Sequence, residues 1–164
     1  MKDETQAYHL VKSLKMHKRH PEYELVLPFI FLKKSYFKVM KKDDILLIGL
    51  DSLEMFLCQK EHLCAKVQLL HTKNYTKIRI FDNEIEQEKI KEHKKFQAIK
   101  CSFGLFQSRN LEINHKIDVS SASFETVTLW DKDKKIAEAK LINVDNEIAL
   151  QMIEIIDNKY TMVN

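Results

Sequence analysis

The stretch Ile136–Ile156, IAEAKLINVDNEIALQMIEII, decides how this chain folds. Ala139 and Leu141, then Ile148, Leu150 and Met152, alternate with Glu138, Lys140, Glu147 and Gln151. That period of two marks strands with one dry face. Asp145-Asn146 divides the run, and short Asp and Asn side chains tolerate the left-handed backbone of a tight turn. The stretch therefore reads as a β-hairpin.

The same pattern occurs earlier in the chain. Met55 and Leu57 precede a polar break at 59–62, followed by Leu63, Ala65, Val67 and Leu69, a second break at 71–74, and Ile78 and Ile80. Met55 and Leu57 superpose on Val127 and Leu129, Leu63 on Ile136, and Ile78 and Ile80 on Leu150 and Met152, about 72 to 73 residues on. Solenoid repeats are shorter, so the sequence predicts two copies of one small β-unit.

The flanking stretches complete this outline. YELVLPFIFL (23–32) is apolar and aromatic, and Pro28 inside it predicts an edge strand or a break. A helical turn over Tyr36, Phe37 and Met40 leads into Ile45–Ile48, read as a buried strand. Ile117-Asp118-Val119 reads as the counterpart of Ile45-Leu46-Leu47, and 124–130 as a strand with Val127 and Leu129 inward. Residues 1–20 read as a basic arm or short helix, 84–96 as a charged linker helix held by i,i+3 and i,i+4 pairs, and 158–164 as a tail.

The chain has 164 residues, 45% hydrophobic and 31% charged, enough to bury a core. It has two Gly and two Pro, so Asp, Asn, Lys and Ser must make the turns. A net charge of +3 argues for neither nucleic acid nor membrane. No apolar run reaches the roughly 18 residues of a membrane-spanning helix. Three cysteines, Cys58, Cys64 and Cys101, lie in strand-like segments, as expected in a reducing compartment.

The hairpin and its approach resemble the SPOA domain of FliN/FliM-type flagellar motor switch proteins and type III secretion cytoplasmic ring proteins. The likeness rests on Ile136-Ala137, Leu141, Ile142 and Val144, Asp145-Asn146 and Ile148-Ala149-Leu150-Gln151-Met152. FKVMKKDDILLIGLD (37–51) is similar to the family's opening segment, with Asp44-Ile45 and Leu50-Asp51 at its matching positions. Ala139 and Ala149 stand where Gly is frequent, and Asn143 replaces an apolar residue.

The resemblance implies a mainly β fold with short helices: two small SPOA-like units, 21–83 and 97–157, interlocked by strand exchange into an intramolecular pseudo-dimer. Its inter-unit packing would use Ile45, Leu47, Met55, Leu57, Val67, Leu69, Ile78, Ile80, Val127, Leu129, Leu150 and Met152. It also implies a partner surface at Leu141, Ile142 and Val144, for ring subunits and the N-terminal segment of the export ATPase regulator (FliH-like). A non-catalytic cytoplasmic scaffold follows, peripheral to the inner membrane through the ring. It would need no cofactor or metal, bind no nucleic acid and insert into no membrane.

Other chemistry has weaker support in the residues. Cys58, His62 and Cys64 form half a zinc constellation without a second half. No local signature supports a cysteine nucleophile. Asp118-Val-Ser120 resembles part of a PilZ cyclic-di-GMP motif, while Arg19 and Arg109 are isolated. YFKVMKK (36–42) could stack RNA bases. A small-ligand or RNA-binding β-barrel is the alternative these last two features leave open.

Overall fold

The computed structural model of the protein describes residues 20–50, 53–71, 73–87 and 94–156. The fold is mainly β, as the alternation predicts. Its strands are β1 (Glu22–Val26), β2 (Ile30–Lys33), β3 (Ile45–Leu50), β4 (Met55–Gln59), β5 (His62–His71) and β6 (Thr76–Asp82), then β7 (Phe96–Gln107), β8 (Lys116–Asp118), β9 (Thr126–Asp131), β10 (Lys134–Val144) and β11 (Glu147–Ile155). All lie in one antiparallel sheet, ordered β3-β11-β10-β9-β7-β1-β4-β5-β6-β8, with β2 also pairing with β7. A 3-10 turn at Lys34–Lys38 is the one helical piece among the described residues. None of their helices is long and apolar enough to cross a membrane.

The tight turns are made without glycine. Lys60 (φ 57°), Lys132 (φ 56°), Asp145 (φ 51°) and Asn146 (φ 67°) take the left-handed positions. Asp and Asn do so at little cost, and the two lysines are held there by the strands on either side.

The hairpins β4-β5-β6 and β9-β10-β11 repeat one another at the level of register. Met55 faces Val67 and Leu57 faces Ala65, while 72 residues on Val127 faces Ala139 and Leu129 faces Ala137. Val67 faces Ile80 and Leu69 faces Ile78, while Ala139 faces Met152 and Leu141 faces Leu150. The bulges recur too, at Cys64 and Ile136 and again at Phe81 and Ile153. The bulge explains why Leu63 and Ile136, superposed in the sequence, are displaced by one residue. A bulge adds a residue that hydrophobic alternation cannot show.

Each hairpin series is finished by a strand from the other half of the chain. β3 adds to β11, with Leu46 opposite Leu150 and Leu47 opposite Ala149. β8 adds to β6, with Ile117 opposite Ile78 and Asp118 opposite Lys77. Leu46 therefore corresponds to Ile117, one position from the expected alignment. In the middle of the sheet β1 pairs with β7, and Val26 stands opposite Ser102. Pro28 falls in the gap between β1 and β2, as the missing N–H requires. β7 continues unbroken through Gly104, whose φ of 127° an L-residue with a Cβ rarely adopts.

One core draws on both series. Leu25, Leu57, Ile78, Ile80, Ile99, Leu129, Leu150 and Met152 are fully buried within it. No second layer exists among the described residues, so a sheet with so dry a face must roll over and bury that face against itself. Of the residues predicted to pack between units, Met55, Leu57, Val67, Ile78, Ile80, Val127, Leu129, Leu150 and Met152 are buried and Leu69 packs against the core from its margin. Ile45 and Leu47 do not pack there: they are 51% and 71% exposed. In the uniformly apolar run ILLI nothing sets the phase, and pairing to β11 turns Leu46 and Ile48 inward instead.

The helix expected over 84–96 is not formed at 84–87, and 88–93 lie outside the described residues. Gln87 instead clamps strand β5: its Oε1 accepts the Leu63 N–H at 2.9 Å and its Nε2 donates to the Leu63 carbonyl at 2.6 Å. Ile85 then packs over a small outer cluster of Val26, Cys58 and Leu63. Of the expected arm at 1–20, residues 1–19 lie outside the described residues, as does the whole expected tail at 158–164.

Candidate interaction surface

The two ends of the sheet share a backbone plan and differ in surface chemistry. Directly opposed residues in an antiparallel pair share a face. On the outer face at one end, Ile142, Ala149 and Leu47 form a row across β10, β11 and β3. Ala149 is completely buried between its half-buried and exposed neighbours, and Leu47 ends the row at the sheet edge. The corresponding row at the other end is Leu70, Lys77 and Asp118.

Two of the three residues in that second row are charged. Lys77 lies 4.8 Å from the centre of the Tyr75 ring. Ser120 holds the Asp118 carboxyl below its ordinary range by hydrogen bonding, with its N–H 2.8 Å from Oδ1 and Lys77 contributing attraction. Arg79 donates to Gln68 Oε1 at 2.7 Å and to Asn114 Oδ1 at 2.6 Å. The edges differ likewise. β8 has three residues, two of them charged, whereas β3 has six with no charge. Short charged edges discourage further pairing and long apolar ones invite it.

The predicted partner residues divide between the faces. Leu141, itself half-buried, lies opposite Leu150 and packs against the margin of the core, so it faces inward. Ile142 and Val144, by alternation, are on the outer face and half-buried. Leu47, assigned by sequence to the core, joins Ile142 there. Ile45, also exposed, sits next along the same edge.

The other candidates resolve into structural roles. Among the described residues no group of three or more His, Cys, Asp or Glu is placed to hold a metal. Cys58 Sγ donates to the Lys60 carbonyl at 2.8 Å, and Cys64 Sγ to the His62 carbonyl at 3.5 Å. Burial pushes the Cys58 and Cys101 thiols up to about 12, too high for a ready nucleophile. Ser120, part of the PilZ-like motif, accepts the Thr76 N–H at 3.0 Å and ties β6 to the turn after β8. In YFKVMKK, Tyr36 donates its hydroxyl to Asp44 at 2.9 Å, while Phe37 and Met40 pack on the core. Burial and the Asp44 carboxylate raise the Tyr36 hydroxyl well above its ordinary range.

A concavity of about 620 Å³ opens beside the hairpin tips at 60–61 and 132–133, lined in part by Glu24, Phe29, Lys100 and Trp130. In its wall, Lys100 is ion-paired with Glu24. No family model matches this sequence, and no curated protein matches it.

Proposed function

We propose that the chain is a non-catalytic scaffold, a tandem pair of SPOA-like units serving a flagellar switch complex or a type III secretion cytoplasmic ring. The units are residues 21–83 and 97–157. Each lends one strand, β3 or β8, to finish the other, and together they make an intramolecular pseudo-dimer. The observation that carries this reading is the repeated register, with the same bulges and the same exchanged edge strand in both halves.

Burial gives the physical motive. A β-unit of this size cannot keep one apolar face dry alone. Joining two in one chain puts the second at an effective concentration of about millimolar. Exposed Leu47 and half-buried Ile142, on either side of buried Ala149, then remain for partners: ring neighbours and the N-terminal segment of the export ATPase regulator. Contact with the membrane is indirect, through the ring, on the cytoplasmic side.

The test is a titration of that regulator segment, taken from the same cell, into the intact chain. Saturable binding that Ile142→Asp or Leu47→Asp abolishes, with the fold unchanged, supports the reading. Low-micromolar binding of cyclic di-GMP or single-stranded RNA in physiological salt, with no binding of the segment, overturns it.

A further inference from the structure

Where β1 meets β7, counterpart positions face each other. Leu25 and Val26 lie opposite Leu57 and Phe56 of β4, just as Cys101 and Ser102 lie opposite Leu129 and Thr128 of β9. Val26 and Ser102 thus occupy the same place in the two halves, and they are also paired with one another. A position facing its own counterpart marks a local twofold axis.

Two residues before each stand Glu24 and Lys100, again counterparts, opposite Cys58 and Trp130. Their side chains form an ion pair across the axis, 15% and 18% exposed. Opposite charges at equivalent positions can meet only between unlike halves. A first half paired with another first half would set Glu24 against Glu24, and two second halves would set Lys100 against Lys100. With little water between them, such like charges are poorly screened. The hairpin tips nearby carry Lys60-Glu61 in one half and Lys132-Asp133 in the other, the same charges in the same order, so they do not discriminate.

We propose that Glu24 and Lys100 are the sorting pair of this chain. They admit only an unlike half to the central β1-β7 junction, either its own or one exchanged with a second copy of the chain, and they exclude the pairing of like halves. This rests on reading the chain as two equivalent units.

The test uses the intact chain with Val26→Cys as a reporter, because the introduced thiol meets the same thiol of a second copy only where two first halves pair. Antiparallel neighbours are close enough for a disulfide. The unsubstituted chain, with its three native thiols, is the blank. With Glu24 and Lys100 in place, mild oxidation gives no disulfide-linked dimer. Glu24→Lys or Lys100→Glu alone sets like charges against each other within the chain and lowers the melting temperature by about 5 °C or more, while two first halves still carry like charges and give no linked dimer. The double reversal restores the melting temperature and also gives no dimer. Glu24→Gln removes the repulsion between two first halves together with the internal attraction, and is the variant expected to release linked dimer.

Linked dimer in the unreversed background, or a double reversal that does not restore the melting temperature, overturns the sorting role. A chain carrying Val26→Cys and Ser102→Cys separates the two ideas. Failure to form the internal disulfide sinks the paired-unit reading itself. Its formation, with dimerisation indifferent to charge, sinks only the sorting role.

Discussion

Asp43 and Asn114 stand 71 residues apart and hold the same left-handed backbone, at φ 74° and 72°. Each starts its edge strand in the same way: the Asp43 N–H donates to the Met152 carbonyl at 2.8 Å and the Asn114 N–H to the Ile80 carbonyl at 2.7 Å. The next residues, Asp44 and His115, return the bond through their carbonyls to the N–H groups of Met152 and Ile80. Asn114→Ala forces a side chain with no local polar partner into that conformation and loses the Arg79 contact. It is expected to cost about 1–2 kcal/mol in urea unfolding. Asn114→Gly keeps the conformation and is expected to cost less than half as much.

Equivalent core positions should fail equally. Leu57 and Leu129 are both fully buried and face Ala65 and Ala137 in matching registers. Leu57→Ala and Leu129→Ala are each expected to cost about 2–5 kcal/mol, because the small alanine opposite cannot fill the cavity. Leu47→Ala, at the exposed edge, is expected to stay within about 0.5 kcal/mol. Chemical denaturation of the three variants checks both statements.

Much of this architecture was legible because alternation and turn chemistry agree. Leu150 and Met152 against Gln151, with Asp145-Asn146 before them, allow hardly any other reading, and the repeat carries that certainty back to Ile78 and Ile80. What was illegible has particular causes. The bulges at Cys64 and Ile136 leave no mark in the hydrophobic pattern, so counterparts slip by one. ILLI at 45–48 is apolar throughout, and only pairing with a strand from the other half fixes which residues turn inward. Residues 84–87 have helix-forming composition, but Ile85 and Gln87 find more to bind along β5 than a helix would give them. Leu47 was read as inward and Leu141 as outward for the same reason: in adjacent apolar residues, facing is decided by tertiary pairing.

Alkaline conditions should weaken the fold. The Cys58 and Cys101 thiols are raised to about 12 by burial, from an ordinary value of 9.0. Between those values the folded state keeps protons that the unfolded state has released. Stability from these groups is therefore complete below about pH 9 and declines as pH rises toward 12. Thermal melts at pH 7.5, 9 and 10.5 (about one and a half pH units apart) should fall mainly over the last interval. In the native protein at pH 8 a thiol reagent should modify the half-buried Cys64 first, with Cys58 and Cys101 reacting only on unfolding.

Leu141 and Ile142 are neighbours in the chain and face opposite ways, so one substitution should have two outcomes. Leu141→Asp sets a carboxylate on the inward face opposite Leu150, against the margin of the core. It is expected to cost more than about 3 kcal/mol and to leave little folded protein at 37 °C. Ile142→Asp places the same charge on the outer face beside Ala149, where water can reach it. Its circular dichroism and melting temperature should stay close to those of the parent chain, while affinity for the regulator segment falls at least tenfold. If both variants unfold, Ile142 belongs to the core and the outer row is not a docking surface. If both fold and bind alike, neither facing nor docking is as described.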